Sequence, residues 1–156
     1  MSNRVIKFRA WDEDRQLMIY EFAEKGWSKK SYRLIFNDEK ELFCGNYRDN
    51  GDWQEPKLMQ FTGLHDKEGK EIYEGDIVKI LYTDWPSKSE SDNRTLEQYL
   101  DDIAHIGIIV FNDSGWEVKF KSKKYPDDFD YSNISPGKHG FIRVIGNVHQ
   151  HKHLLK

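Results

Sequence analysis

Alternating hydrophobic and polar positions open the chain and predict β-structure. In residues 5–11, Ile6, Phe8 and Ala10 alternate with basic residues, and a period of two is typical of a half-buried strand. A polar turn follows, and residues 17–20 are hydrophobic again. This pattern predicts a hairpin at the start of the chain.

A second hairpin is predicted a little further along. Residues 31–36 and 41–43 are rich in strand-forming side chains and flank the polar sequence Asn-Asp-Glu-Lys. Residues 47–57 contain an Asn-Gly-Asp sequence and a proline. These residues disfavour regular structure, so we predict a loop there.

The longest strand-like stretch, residues 58–80, contains two turns. Its first turn, Asp-Lys-Glu-Gly, suits a type I turn that ends in a glycine with positive φ, Gly69. The second turn contains Gly75, which we also expect at positive φ because glycine has no Cβ to clash. We expect the carboxylates of Asp66 and Asp76 to accept hydrogen bonds from the backbone of these turns.

The second half of the chain begins with a polar insertion, residues 83–104. Within it, residues 95–104 have hydrophobic side chains at helical spacing after a capping threonine, which predicts one short helix. Residues 106–111 and 116–120 then form the clearest hairpin pattern in the chain. Residues 141–148 predict a last strand, and we expect a short helical turn after it.

Many short strands and one short helix predict the fold class. We expect a mainly β protein built as an antiparallel half-open barrel, similar to SH3-like barrels. We predict a single domain over residues 1–156, in which residues 83–104 form an insertion and not a separate domain.

Composition narrows the classes of function. The chain has 156 residues, with 24 basic and 27 acidic side chains and a net charge of −3. This balance excludes a strongly basic nucleic-acid coat but permits a local basic patch. Cys44 is the single cysteine, which favours a reducing cytoplasm. We find no signal peptide and no apolar run of the roughly 20 residues that a membrane helix needs.

Three parts of the chain carry a pattern that resembles a known family. They are residues 7–12 (Lys-Phe-Arg-Ala-Trp-Asp), residues 58–64 with 72–78, and residues 144–148 with Leu154-Leu155. Their order and spacing resemble the YopX-like family of bacteriophage and prophage proteins. The resemblance implies a bacterial host cell, and it implies no catalytic residue and no cofactor. The insertion at residues 83–104 and the histidine-rich residues 149–153 depart from the family's pattern.

Glu71, Glu74 and Asp76 form the densest acidic cluster among the candidate sites. Such carboxylates can bind Mg²⁺ or divide acid and base roles, as in a metal-dependent hydrolase. Alternatively, they solvate a turn and a strand edge, and Asp76 binds the turn backbone. We favour the second interpretation because acidic residues are mostly exposed surface groups.

His149, His151 and His153 are spaced two residues apart near the end of the chain. An extended backbone would place all three on one face, where imidazoles can bind Zn²⁺ or Ni²⁺. The alternative is a frayed terminal segment. We favour the alternative because the spacing does not supply the supporting partners of a real metal site.

Basic and aromatic residues are interleaved in the first third of the chain. They suggest a surface that follows a phosphate backbone and stacks bases. Its candidate residues are Lys7, Arg9, Trp11, Lys29, Lys30 and Arg33. The alternative is that the tryptophan is buried and the cations keep strand edges soluble.

Tryptophans outside the predicted strands are candidates for an interface. Aromatic residues make up 14% of the chain, and Trp53 and Trp85 lie in predicted loops. Exposed aromatic side chains often anchor protein interfaces. Together with open strand edges they lead us to expect a homo-oligomer.

The chain contains no recognisable phosphate-binding loop, Cys-x-x-Cys pair or nucleophile elbow. We therefore predict a non-enzymatic phage or prophage accessory protein that binds a host or phage protein. A nucleic-acid-binding protein is the first alternative. A metal-dependent hydrolase that uses the acidic cluster is the second.

Overall fold

A computed structural model describes most of the chain, in segments. The described residues are 5–23, 32–47, 50–81, 93, 95, 105–120, 132–133 and 141–155. The chain divides into two compact units, residues 1–61 and residues 62–156. Each unit has its own hydrophobic core, and the single-domain organisation stays a prediction.

The first unit contains two small antiparallel sheets. Its strands are β1 (Phe8–Asp12), β2 (Leu17–Ile19), β3 (Arg33–Phe36), β4 (Leu42–Tyr47), β5 (Trp53–Gln54) and the start of β6 (Lys57–His65). Strand β1 lies between β2 and β6, and β4 lies between β3 and β5. The two predicted hairpins are therefore present. The loop predicted over residues 47–57 is wrong in part, because it contains the last residue of β4, all of β5 and the first residue of β6.

Both faces of β1 are buried, which differs from the predicted half-buried strand. Consecutive side chains from Arg9 to Asp12 are all buried. Ala10 packs in a core with Ile19, Tyr32 and Cys44, and Trp11 is 2% exposed although it points to the opposite face. Alternation in the sequence predicts the strand, but burial of its second face depends on other segments that pack against that face, which a short sequence window does not show.

The second unit is a five-stranded antiparallel sheet with additional short elements. After the end of β6 come β7 (Glu71–Tyr73), β8 (Asp76–Leu81), β9 (His105–Asn112), β10 (Gly115–Phe120), β11 (Ser132–Asn133), β12 (Phe141–Asn147) and a 3₁₀ helix (Lys152–Leu155). The order in the sheet is β11-β10-β9-β8-β12. A bulge between Val144 and Gly146 interrupts the pairing of β12 with β8.

The core of the second unit consists of aliphatic side chains from β7 to β12. Ile72, Val78, Ile80, Ile109 and Val118 are all 0% exposed. Val78 and Ile80 are two positions apart on β8, so both side chains point to the same face of the sheet. The residues that repeat the family's pattern, notably residues 72–78, therefore supply a large part of this core.

The prediction of a mainly β, antiparallel protein with a curled half-barrel sheet is confirmed. The predicted terminal turn is also present, as the 3₁₀ helix that ends at Leu155. The helix predicted over residues 95–104 lies outside the described residues. Within the described part of the chain, no helix is long and apolar enough to cross a membrane.

Candidate binding surface

The sheet of β3, β4 and β5 presents two faces with different chemistry. Its register places Leu34 opposite Cys44 and Tyr47 opposite Trp53. Since side chains alternate along a strand, Cys44 and Asn46 lie on one face and Phe43, Gly45 and Tyr47 on the other. The first face is buried in the core of the unit. The second face, which we call the aromatic face, consists of Phe43, Gly45, Tyr47 and Trp53.

Trp53 is the centre of the aromatic face. Its indole ring lies directly over Gly45, so that a Cβ at residue 45 would overlap the ring. The ring of Tyr47 lies 4.9 Å from the indole with an interplanar angle of 71°. The ring of Phe43 lies 6.2 Å away at 74°. Both arrangements are the edge-to-face geometry that aromatic pairs favour.

A hydrogen bond fixes the orientation of the indole. The Nε1–H of Trp53 donates to Oε1 of Glu55 at 2.9 Å. Tyr47 is 43% exposed, while Phe43 and Trp53 are half-buried. The aromatic face is therefore held in place by its own contacts and is still accessible to a partner.

Acidic side chains outnumber basic ones along this sheet. Among the described residues from 32 to 55, two side chains are basic, Arg33 and Lys40, and five are acidic. The acidic residues are Asp38, Glu39, Glu41, Asp52 and Glu55. Two of these carboxylates, Asp52 and Glu55, flank Trp53 in sequence, while the other three lie in the β3–β4 turn at the opposite end of the sheet.

The buried face of the same sheet takes part in a polar cluster of Asp12, Arg15, Tyr32 and Asn46. The hydroxyl of Tyr32 donates to Oδ2 of Asp12 at 2.7 Å. Nη1 of Arg15 donates to the Tyr32 hydroxyl at 2.8 Å, to Asp12 Oδ2 at 3.1 Å and to Asn46 Oδ1 at 3.2 Å. The backbone N–H of Arg15 donates to Oδ1 of Asp12 at 2.9 Å. The cluster therefore joins the β1–β2 turn to the sheet that carries the aromatic face.

The charges of the polar cluster are stabilised by its hydrogen bonds. Burial raises the pKa of Asp12, but hydrogen bonds from Tyr32 and Arg15 outweigh burial and leave the pKa below its ordinary value of 3.8. Burial and the bond to Asp12 raise the pKa of Tyr32 to about 12. At neutral pH the carboxylate is ionised and the phenol is neutral, which is the protonation state in which every bond in the cluster can form.

Cys44 is next to this cluster and is chemically inert. Burial raises the pKa of its thiol to about 12, and the charge of Asp12 acts in the same direction. The thiolate is the nucleophilic form of cysteine. Cys44 therefore serves as a small core residue, as its completely buried side chain indicates.

The acidic residues of the second unit lie at a structural turn. Oδ2 of Asp76 is buried and accepts a hydrogen bond from the backbone N–H of Tyr73 at 2.8 Å. The Tyr73 hydroxyl donates to Oε2 of Glu71 at 2.7 Å. Among the described residues, no three histidine, cysteine or acidic side chains are grouped closely enough to hold a metal ion. This applies to Glu71, Glu74 and Asp76 and to the terminal histidines.

The terminal histidines lie in a folded turn and a 3₁₀ helix and not in an extended segment. Oδ1 of Asn147 accepts hydrogen bonds from the backbone of His149 and Gln150, at 3.0 and 2.9 Å. Nδ1 of His151 accepts from the backbone N–H of Asn147 at 3.3 Å. His153 lies in the 3₁₀ helix. This folded backbone differs from the extended one on which the less favoured metal-binding interpretation depends.

The predicted phosphate-tracking surface does not form as expected on β1. Arg9 is 4% exposed and Trp11 is 2% exposed, while Lys7 before the strand is exposed. The indole of Trp11 donates to Glu13 at 2.8 Å. The prediction that Lys7, Arg9 and Trp11 form one ligand-binding face is therefore wrong, because the side chains of Arg9 and Trp11 are buried. Arg33 is half-buried on β3, and Lys29, Lys30 and Trp85 lie outside the described residues.

The two predicted turns of the central stretch have the expected geometry. Gly69 has φ of 83° and Gly75 has φ of 73°, as the turn pattern predicts. Asp66 accepts backbone hydrogen bonds from Glu68 and Lys70 at 2.8 and 2.9 Å, and from Val144 at 3.0 Å. These residues fix the path of the chain in the second unit.

Sequence reasoning missed the polar cluster and most of the aromatic face. Asp12 and Tyr32 are 20 residues apart, and no local motif connects them. The aromatic face had one signal, since Phe43, Gly45 and Tyr47 occupy alternate positions. The Asn-Gly-Asp sequence and the proline that follow predict a loop from residue 47 onward, which hides this signal.

Comparison with known proteins supports the family and leaves the activity open. No curated protein matches the chain. A crystal structure of protein EF1440 from Enterococcus faecalis is similar, with 24% sequence identity over 99% of this chain and 100% of that chain, and a TM-score of 0.48. The family model described as YopX protein matches residues 7–156. The chain therefore belongs to the YopX family.

Proposed function

We propose that the protein is a non-enzymatic binding module that recognises a host or phage protein through the aromatic face. The observation that carries this proposal is the placement of Trp53. Its ring packs directly on Gly45 and donates a hydrogen bond to Glu55. The neighbouring ring of Tyr47 is 43% exposed. Pre-ordered aromatic side chains lose little freedom on binding and are the usual anchors of protein interfaces.

Charge favours a protein partner over a nucleic acid. The exposed carboxylates of Asp52 and Glu55 flank Trp53 in sequence, so a phosphate backbone would meet like charge there. Arg9 and Trp11, which a nucleic-acid surface would need, are buried. A protein partner tolerates acidic groups around an aromatic anchor, because such groups set orientation and specificity.

The acidic cluster supports a structural role in preference to hydrolysis. A metal-binding carboxylate needs oxygen atoms that are open to the ion and its water. Asp76 is instead 1% exposed and bonds the backbone of Tyr73. This arrangement stabilises the turn before β8.

The experiment is affinity capture from lysogenic or infected cells, followed by titration with the purified partner. We expect Trp53→Ala to weaken binding at least about tenfold, as expected for an interface anchor. Phe111→Ala is the matched control, because Phe111 is a 59% exposed aromatic residue in the second unit. Equal affinity of wild type and Trp53→Ala for the purified partner would contradict the proposal.

Two further measurements separate the alternatives. Light scattering of the purified protein tests whether the partner is a second copy of the chain, as the expected homo-oligomer requires. Titration with labelled single- and double-stranded oligonucleotides at low and near-physiological salt tests the nucleic-acid alternative. Binding to oligonucleotides that falls steeply with salt and depends on Arg33 would replace the protein partner with a nucleic acid.

A further inference from the structure

We infer that the aromatic face binds a cationic side chain, an arginine or a lysine, of an extended segment of the partner. This inference rests on the proposed function and specifies the chemistry of the ligand. It follows from the position of one carboxylate, Glu55, beside the indole of Trp53, and from a second exposed carboxylate, Asp52, next to Trp53 in the chain.

Glu55 supplies the carboxylate. Its Oε1 accepts the hydrogen bond from the Trp53 indole at 2.9 Å, and the residue is exposed. Within the described residues no hydrogen bond or ion pair uses its second oxygen, Oε2. The bond to the indole holds the carboxylate beside the ring, so that the second oxygen is positioned to accept a charge-assisted hydrogen bond from a ligand.

The indole that bonds this carboxylate has two further aromatic rings beside it. Trp53 has Tyr47 and Phe43 on its flanks, with ring centroids 4.9 and 6.2 Å from the indole. A cation within about 6 Å of an indole or phenol ring is attracted by the negative face of the ring, and tryptophan gives the strongest attraction. A guanidinium can stack on a ring while it donates to a carboxylate, because its donors lie in a plane.

A second carboxylate extends the negative region. Asp52 is exposed and immediately precedes Trp53, and its Oδ2 is oriented by the side chain of Asn50 at 2.6 Å. Arg33 lies on β3 directly opposite Gly45 of β4, on the same face of the sheet. Its positive charge would repel a cationic ligand and attract an anionic one.

The test uses short synthetic peptides as probes. One peptide contains two arginines in a glycine-serine background, a second has citrulline in place of arginine, and a third has glutamate. We expect the arginine peptide to bind the wild-type protein and the citrulline peptide to bind at least about tenfold more weakly, because citrulline keeps the shape and loses the charge. Calorimetry or fluorescence anisotropy measures the affinities.

Matched variants of the protein locate the site. Glu55→Gln removes the charge but keeps an acceptor for the indole. We expect this variant to bind the arginine peptide about fivefold more weakly, or weaker still. Glu39→Gln is the control, because Glu39 is an exposed acidic residue of the β3–β4 turn, at the opposite end of the sheet from Trp53. Arg33→Ala should leave the affinity unchanged or raise it. Equal binding of the arginine and citrulline peptides, or equal loss from Glu55→Gln and Glu39→Gln, would overturn the inference.

The outcome for the partner protein separates this inference from the proposed function. Suppose that the arginine peptide fails to bind while Trp53→Ala still lowers the affinity for the purified partner. The inference of a cationic ligand is then wrong, but the proposed binding surface is still supported. If Trp53→Ala changes neither interaction, both are wrong.

Discussion

Asp12 in the first unit and Asp66 in the second are both buried aspartates whose pKa lies below the ordinary value, yet they bond different partners. Asp66 accepts hydrogen bonds from three backbone N–H groups, of Glu68, Lys70 and Val144. Asp12 accepts from the side chains of Tyr32 and Arg15 and from one backbone N–H. One carboxylate therefore fixes backbone and the other mainly organises side chains.

The two aspartates therefore stabilise different parts of the molecule. Asp66 stabilises the backbone framework of the second unit, which we call the scaffold, and Asp12 stabilises the sheet that carries the candidate binding surface. Asp66 closes a turn and ties it to β12, so its bonds are satisfied entirely within the chain. Asp12 joins the β1–β2 turn to the β3–β4–β5 sheet through Tyr32, and the other face of that sheet carries Trp53. Most of the residues that match the pattern of the family lie in the second unit, which contains the scaffold. The candidate binding surface lies on a sheet between those patterns.

The largest expected effect comes from removing the scaffold carboxylate. Asp66→Ala leaves three backbone donors without their acceptor, and Asp66 itself is 7% exposed. Loss of three hydrogen bonds to a charged acceptor, with the buried N–H of Val144 left unpaired, costs about 3 kcal/mol or more. Urea unfolding measures the free energy, and hydrogen exchange at Val144 reports the local loss. Asp66→Asn keeps one acceptor oxygen and should cost clearly less; equal costs would mean that the backbone bonds contribute little.

A smaller effect is expected when the polar cluster loses one hydroxyl. Tyr32→Phe keeps the ring but removes the donor to Asp12 and the acceptor for Arg15. A hydrogen bond to a charged group contributes about 2 kcal/mol, so we expect a loss of that order. Tyr20→Phe is the control, because Tyr20 is 59% exposed and the change should stay within about 0.5 kcal/mol. If Tyr32→Phe matches that control, the cluster does not stabilise the first unit.

The scaffold turns could be predicted from sequence because their chemistry is local. Asp66 and Gly69 are three residues apart, and the type of turn follows from those residue types. Gly75 was found in the same way. The strands of the central hairpins were predicted because hydrophobic alternation needs only a short window.

The polar cluster and the aromatic face could not be predicted, because they depend on pairing between distant segments. Arg9 looked like a solvent-facing cation from its alternation with Phe8 and Ala10, but β2 and β6 flank β1 and both of its faces are buried. Trp53 was expected to be exposed in a loop. It instead pairs with Tyr47 in a two-residue strand, which is too short for a periodic pattern to reveal.

The smallest expected effect is acid sensitivity, since protonation of an aspartate removes its charge but leaves all of its atoms in place. Hydrogen bonds outweigh burial and lower the pKa of both Asp12 and Asp66 below 3.8. A depressed pKa means that the folded protein favours the ionised form, so the stabilisation is present above about pH 4 and is lost as the pH falls through the folded-state pKa. Urea midpoints measured from pH 7 down to pH 3 test this for each aspartate. Asp12→Asn and Asp66→Asn should each show a shallower loss of stability at low pH than the wild type. A variant whose profile runs parallel to the wild type would show that its aspartate is not favoured as an anion in the folded state.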